Sequence, residues 1–366
     1  MQTLIRDLLI ALSRPLTAKA GASGFSPSPA ASTPWDALLA AANREGMTGL
    51  LYRGLRQRGL MSEVPAPFAE RISSIYYHTV RCNLKLMADM VEVLEKSARI
   101  GVAPIILQGM ALQGDVYPDP GLRPMSDIDL WVAASRFERF SGLLARMGYR
   151  QDVNYPGAFA RGATKLDVHT HLFWADRLRS RRWLIRGPVA GFIENAEPFQ
   201  IGAVTARRLC AVDQVLYLGL HALKHNVDRL IWLVDIRRLL ALMPEEGIRR
   251  LMDRANAVGL NRQMGYVGYL IERLLGEKTV LGAWAETVGP LASWVLRRRD
   301  HGSQLPAWSP LVFFTAGKDL RLGAAMIWEM LFPREDVLRQ IFADTPSAPL
   351  WRLYARRLVQ FGRMLT

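Results

Sequence analysis

The spacing of apolar residues along the chain predicts helices at both ends and strands between them. Residues 35–55 and 65–100 carry apolar side chains mostly at three- and four-residue steps, which predicts helices with a break near Gly46. The first residues predict an amphipathic helix, because their apolar run is too short and too close to Asp7 for a secretory signal. Residues 17–34 are mostly Ser, Gly, Ala and Pro, and predict a loop or linker.

The pattern changes after Gly101, where short apolar or alternating runs replace the helical spacing. Runs of this kind, bounded by Gly and Pro, are typical of strands. The predicted strands lie at 103–107, 128–132 and 165–171, with a further strand within 150–161 beside the last of these. Short helices are predicted at 110–116 and 135–147.

Helical spacing returns from about Ala206 and continues to the end of the chain. Helices are predicted from Asp213, from Leu230 to Met243 and from about Glu245, and the segments after Leu320 break at prolines. The predicted fold class is therefore α+β, with a small mixed sheet flanked by helical regions. The predicted divisions are an N-terminal helical region, an α/β core and a C-terminal helical domain, at 1–100, 101–206 and 207–366.

Composition excludes several classes of protein. Half of the residues are hydrophobic and 22% are charged, which excludes a disordered chain, and two cysteines exclude a disulfide scaffold. No apolar run approaches the roughly 20 residues that span a bilayer, so no membrane span is predicted, and the two cysteines suit a reducing cytoplasm. The oligomeric state is left open.

The net charge of +14 includes one local cluster of basic residues. Three interpretations stay open for the cluster: a solvated face, a site for an anionic small substrate or nucleotide, and a nucleic-acid surface. Nucleic-acid binding usually interleaves basic and aromatic residues, whereas Trp183 stands alone here, so it is the weakest of the three. The cluster consists of Arg177, Arg179, Arg181, Arg182 and Arg186.

Three aspartates carry the most informative pattern. Asp127 and Asp129 are two residues apart on a predicted strand and therefore point to one face, and such a pair repels unless a cation lies between them. Asp167 repeats the pattern on the next major strand, where His169 shares its face. If the two strands are neighbours, three carboxylates meet, which suits a divalent metal that also holds phosphates.

These residues lie in a longer string that resembles a known family. The segments LQG at 107–109 and YPDPGLRPMSDIDL at 117–130 are similar to the signature of poorly characterised bacterial nucleotidyltransferases of the polymerase-β-like superfamily. LDVH at 166–169 resembles the strand that carries the third carboxylate of that family. HALKHNVDRLIWLVDI at 221–236 resembles the helical motif that follows it.

The resemblance implies an Mg²⁺-dependent enzyme that transfers a nucleoside monophosphate from a nucleoside triphosphate, with ATP expected. The expected acceptor is the hydroxyl of a small molecule, sugar, peptide or protein; nucleic acid is disfavoured, because the chain lacks an obvious nucleic-acid module. Asp127, Asp129 and Asp167 are the implied Mg²⁺ ligands and catalytic residues, and Asp167 helps to deprotonate the acceptor. The predicted nucleotide contacts are Gln108, Gly109, Met110, Arg123, Ser126, His169, His221, His225, Arg229 and Asp235.

Two departures from the family pattern leave alternatives open. Gln108 stands where the family usually has Lys and brings no charge to a phosphate, and Met110 offers only its backbone N–H where the superfamily prefers Gly or Ser. The alternatives are a tailoring enzyme for a natural product or peptide that transfers another phosphate-linked group at the same site, and a non-catalytic nucleotide-binding scaffold.

The polar residues of the 221–236 segment recur at three- and four-residue steps. They form one stripe on a continuous helix, or residues 226–228 are a turn between two helices. Asp235 then either pairs with Arg229 or a histidine in a structural network, or contacts substrate. A zinc site is a further alternative that the spacing does not demand, with ligands His169, His171, His221 and His225.

Overall fold

A computed structural model describes residues 2–13, 33–300, 304–318, 320–345 and 347–365. The predicted linker at 17–34 lies outside the described residues except for Thr33 and Pro34. Within the described residues, four α-helices precede the sheet. They are α1 (Gln2–Ser13), α2 (Trp35–Arg44), α3 (Thr48–Gln57) and α4 (Ala66–Arg99).

A seven-stranded mixed sheet occupies the middle of the chain, in the order β3-β4-β5-β2-β1-β7-β6. At its centre β2 runs antiparallel to β1 and parallel to β5. The strands are β1 (Ile105–Ile106), β2 (Ile128–Trp131), β3 (Arg150–Gln151), β4 (Ala158–Arg161), β5 (Thr164–His169), β6 (Glu197–Ile201) and β7 (Val204–Arg208). The helices that connect them are α5 (Gln108–Ala111), α6 (Phe137–Arg146) and α7 (Ala190–Glu194).

The C-terminal part is helical throughout its described residues apart from turns. Its first helices are α8 (Ala211–Lys224), α9 (Leu230–Leu242), α10 (Glu245–Ala257) and α11 (Asn261–Leu270). The remaining helices are α12 (Pro290–Asp300), α13 (Ser309–Thr315), α14 (Leu320–Leu331), α15 (Glu335–Ile341) and α16 (Leu350–Leu365). The α+β class predicted from the sequence is confirmed. The division into three regions stays a prediction.

One predicted element is placed wrongly. The helix predicted at 110–116 spans Gln108–Ala111, so it begins and ends earlier. Gly114 has a φ of 88°, which ends the helical path, and the chain closes a turn in which the Tyr117 N–H donates to the carbonyl of Leu112.

Alternating burial along β2 and β5 gives the sheet an apolar face and a polar face. Ile128 and Leu130 are fully buried in a cluster with Leu166 and Val168, beneath helices α4 and α6. Asp129 lies between the two apolar positions of β2 and points to the opposite face. The larger apolar core, built from the N-terminal and C-terminal helices, includes Trp131 at the edge of this opposite face.

Candidate active site

Asp129 and Asp167 lie side by side on neighbouring parallel strands. The register of β2 and β5 pairs Asp129 with Asp167 and Trp131 with His169. Paired residues of adjacent strands share a face of the sheet, so both carboxylates project from the polar face. The two strands that carry the aspartates are therefore neighbours, which is the condition for their carboxylates to meet.

A histidine links the two carboxylates. His169 Nε2 lies 3.2 Å from Asp129 Oδ1, at hydrogen-bond distance, and 3.6 Å from Asp167 Oδ2. One ligand atom from each of the three residues falls within 4.8 Å of the others, a spacing that a metal ion could bridge. Asp129 keeps 13% of its side chain exposed and Asp167 keeps 47%, so Asp167 is the more open to an incoming molecule.

The charges of this group act on one another. Partial burial raises the pKa of Asp167 and the Asp129 charge adds to the rise, while His169 opposes it. Burial works to lower the pKa of His169, but its hydrogen bond to the Asp129 carboxylate and the charge of Asp167 together raise it. The carboxylates thus favour a cation between them, the behaviour expected of a metal site.

Asp127 is not one of these three residues. It precedes the first residue of β2, is exposed, and accepts a 3.0 Å hydrogen bond from the Ser126 hydroxyl, which is also exposed. The close group of ligand atoms therefore combines two of the predicted carboxylates with His169. A role for Asp127 and Ser126 stays a prediction.

The glycine turn lies against a buried arginine. Gln108 has a φ of 50°, the left-handed region that side chains rarely adopt, and Gly109 is buried in α5. A Cβ atom on Gly109 would stand 2.1 Å from Nη1 of Arg123, so only glycine fits here. The backbone of α5 and the Arg123 guanidinium are therefore in direct contact, with Met110 buried behind them.

Arg123 and Asp235 form a buried ion pair beneath this turn. The Arg123 Nη2 and Nε atoms donate to Asp235 Oδ2 at 3.0 and 3.2 Å, and the Tyr117 hydroxyl donates to Asp235 Oδ1 at 2.6 Å. Burial and the Asp235 charge raise the pKa of Tyr117. The alternative that pairs Asp235 with Arg229 or a histidine is wrong, because the partners of Asp235 are Arg123 and Tyr117, and Arg229 is exposed.

The second histidine motif is split by a turn. Helix α8 ends at Lys224 and α9 begins at Leu230, with Asn226 and Val227 in left-handed conformations at φ of 57° and 48°. The two-helix alternative is therefore confirmed. The turn sets the ring of Trp232 against the rings of His221, in α8, and His225, the residue that follows α8.

The end of α8 faces the polar side of the sheet. Burial lowers the pKa of Lys224 to about 7, an effect that the nearby Asp129 and Asp167 oppose. Burial also lowers the pKa of His221, whose Nδ1 atom is buried without a hydrogen-bond partner, and lowers that of His225 to about 4. Both shifts favour the neutral form of the imidazole ring.

Two residues that the sequence analysis did not select as site residues lie beside Lys224. The Lys224 Nζ atom is 4.2 Å from the centre of the Trp174 ring, and Arg181 packs against the same ring. Arg181 belongs to the basic cluster and is the one arginine of the five that is buried. The sequence does not show which of the five arginines is buried. No sequence pattern indicated Trp174 as a site residue, because its position depends on the path of a loop in which Trp174 itself has a φ of 57°.

The Gly109 contact makes a prediction about stability. We expect Gly109→Ala to lower the free energy of unfolding by about 1–3 kcal/mol, because the methyl group must displace an arginine that Asp235 holds in place. Thermal and urea unfolding measure the effect. The control is Gly142→Ala in α6, where the new Cβ meets only Arg146 Nη1 at 3.6 Å and should not destabilise. Equal stability of the two variants would contradict the packing described here.

Residues 31–276 match the model of a family described as uncharacterised nucleotidyltransferase. The match covers most of the chain, which therefore belongs to this family. No curated protein and no solved structure gives a significant match. Among the described residues, no helix has both the length and the apolar character needed to cross a membrane.

Proposed function

We propose that this protein is a metal-dependent nucleotidyltransferase of the polymerase-β-like type, which transfers a nucleoside monophosphate from ATP to a hydroxyl group. The pairing of Asp129 with Asp167 on adjacent parallel strands carries this proposal, because it sets two carboxylates and His169 within reach of one cation. The family supports nucleotidyl transfer in general. The acceptor we propose is a small molecule, sugar, peptide or protein.

The donor set fits a hard divalent cation. Asp129 and Asp167 offer the oxygen ligands that Mg²⁺ prefers, and Asp127, two residues before Asp129, can supply a third carboxylate. We assign His169 to orienting the Asp129 carboxylate through their hydrogen bond, since imidazole is a poorer ligand for Mg²⁺. When bound, Mg²⁺ would neutralise charge on the phosphates and favour ionisation of the acceptor hydroxyl.

The residues of the chain then perform the remaining steps. The acceptor oxygen attacks the α-phosphorus, the bond to the bridging oxygen breaks, and pyrophosphate leaves with the electron pair. Asp167 takes the acceptor proton, because its carboxylate is the more exposed of the two and stands at the open side of the site. The backbone at Gly109, with no side chain in the way, is the proposed contact for the phosphates.

We place the reaction in the cytoplasm, where ATP is available. Cys82 and Cys210 are both free thiols, as expected of a protein in a reducing compartment.

Two labels on ATP test the proposal. The protein is incubated with Mg²⁺ and ATP labelled on the α- or the γ-phosphate, with candidate hydroxyl acceptors and with the protein as its own acceptor. We expect the α-label to join an acceptor and the γ-label to appear in pyrophosphate. Transfer of the γ-label to an acceptor would instead indicate another phosphate-linked group. ATP binding without any transfer would indicate a non-catalytic scaffold. Either result would overturn the proposal.

A further inference from the structure

Trp174 has two cationic side chains on its ring system. The Lys224 Nζ atom lies 4.2 Å from the ring centre and Arg181 Cζ lies 5.9 Å from it. Arg181 Cζ is also 5.5 Å from the ring centre of Phe314. Trp174 is 2% exposed and Arg181 is 9% exposed, so the positive charges sit among aromatic groups instead of water.

These two cations form no ion pair among the described residues, and the charges of Asp176 and Glu329 act on Arg181 only at longer range. The Arg181 Nε atom is buried without a hydrogen-bond acceptor. Burying an unpaired cation is unfavourable, and burying two close together is more so, because each repels the other. Burial lowers the pKa of Arg181 to about 10, in keeping with this cost. Packing in the rest of the fold must therefore offset the unfavourable burial of Arg181 and Lys224.

Lys224 lies near enough to the carboxylates of Asp129 and Asp167 to interact with their charges. The charges of Asp129 and Asp167 act on Lys224, and Lys224 acts in turn on Asp167 and His169. The site thus has a negative side, suited to a metal ion, and a positive side. The strained φ of 57° at Trp174 fixes the ring on which the positive side is built.

We propose that Arg181 and Lys224 form the binding site for the terminal two phosphates of the nucleotide, and for pyrophosphate when it leaves. This inference rests on the proposed function. As the bond between the α-phosphorus and the bridging oxygen breaks, negative charge collects on the departing pyrophosphate, and the two cations stabilise it. The Arg181 fork suits two phosphate oxygens, and Lys224 adds a point charge. These charges take the place of the lysine that Gln108 replaces.

Binding of inorganic pyrophosphate with Mg²⁺, measured by isothermal titration calorimetry, tests the inference without turnover. We expect Arg181→Met and Lys224→Met each to weaken binding by about 10- to 100-fold, the loss of a charge-assisted hydrogen bond. The controls are Arg182→Met, an exposed neighbour, and Lys278→Met, an exposed lysine, which change the net charge equally. Equal affinity of all four variants would overturn the inference.

Thermal unfolding separates a binding role from a structural one. Without ligand, Arg181→Met and Lys224→Met should melt at or above the wild-type temperature, because each removes an unpaired buried cation. Pyrophosphate should raise the melting temperature of the wild type and of the controls, but much less that of the two variants. A large fall in melting temperature without ligand would show that the two cations are structural, and would contradict the inference.

Two further arms separate this inference from its alternatives. Orthophosphate should bind much more weakly than pyrophosphate; equal affinity would assign the site to a single phosphate, such as one on the acceptor, and overturn the inference. If pyrophosphate binding depends on Arg181 and Lys224 but the α-label is never transferred, the anion site stands and the proposed function fails. If the α-label is transferred but pyrophosphate binding does not depend on Arg181 or Lys224, the proposed function stands and only the inference fails.

Discussion

Asp129→Asn should reduce the rate of nucleotidyl transfer on the order of 10³-fold, the equivalent of several kcal/mol of transition-state stabilisation by the metal. The substitution keeps the shape of the side chain but removes one negative charge from the group of Asp129, Asp167 and His169. Initial rates at saturating ATP and acceptor measure the loss. We expect Asp167→Asn to behave alike and Asp127→Asn to test whether a third carboxylate takes part.

Stability shows whether such losses are catalytic. The Asp129 and Asp167 charges repel one another, so removal of either should leave the melting temperature unchanged or raise it. Asp253→Asn, on the exposed face of α10, is the control for the same change of charge and should retain full activity. Full activity in Asp129→Asn, or a large fall in its melting temperature, would mean that Asp129 supports the fold and not the reaction.

Asp235→Ala should lower the free energy of unfolding by about 3–5 kcal/mol, the usual penalty for leaving one partner of a buried ion pair alone. Asp235 is completely buried and accepts hydrogen bonds from Arg123 and Tyr117, so its loss leaves a buried guanidinium without its anionic partner and a buried hydroxyl without its acceptor. Urea unfolding followed by circular dichroism measures the change.

A double variant tests whether the unpaired Arg123 guanidinium causes this loss of stability. If the penalty comes from the unpaired guanidinium, adding Arg123→Met to Asp235→Ala should recover part of the lost stability, since the cation is then gone. A single variant Asp235→Ala within about 0.5 kcal/mol of the wild type would be typical of an exposed surface position. That result would contradict the buried pair.

The sequence was sufficient for the strands that carry the carboxylates. Alternation around Asp129 and Asp167 showed which side chains leave the core, because the period of a strand is two. The sequence did not show whether the two aspartates lie close together, because the order of strands in a sheet depends on packing across the whole sheet. The register that pairs Asp129 with Asp167 comes from the structure.

Contacts between residues that are far apart along the chain could not be predicted from local sequence patterns. The sequence left Asp235 either pairing with Arg229 or a histidine or contacting substrate, whereas it pairs with Arg123, 112 positions away. The left-handed turn at Asn226 and Val227 changes the direction of the chain between α8 and α9. No hydrophobic period predicts a turn that places a buried valine in this conformation.

Burial also separated residues that look alike in sequence. Arg181 is one of five clustered arginines, and its burial against Trp174 is a property of the loop after β5. The interpretations left open for the cluster therefore apply to different members. Arg177, Arg179, Arg182 and Arg186 are exposed, whereas the buried Arg181 is the candidate for an anionic ligand.

The central claim is that Asp129 and Asp167 bind the metal that the reaction needs, and Mn²⁺ binding tests it most directly. Mn²⁺ shares the preference of Mg²⁺ for carboxylates and gives an electron paramagnetic resonance signal when free in solution. With a non-hydrolysable ATP analogue present, we expect saturable Mn²⁺ binding that Mg²⁺ displaces, weakened about tenfold or more in Asp129→Asn and Asp167→Asn. Unchanged Mn²⁺ binding in both variants would contradict the account.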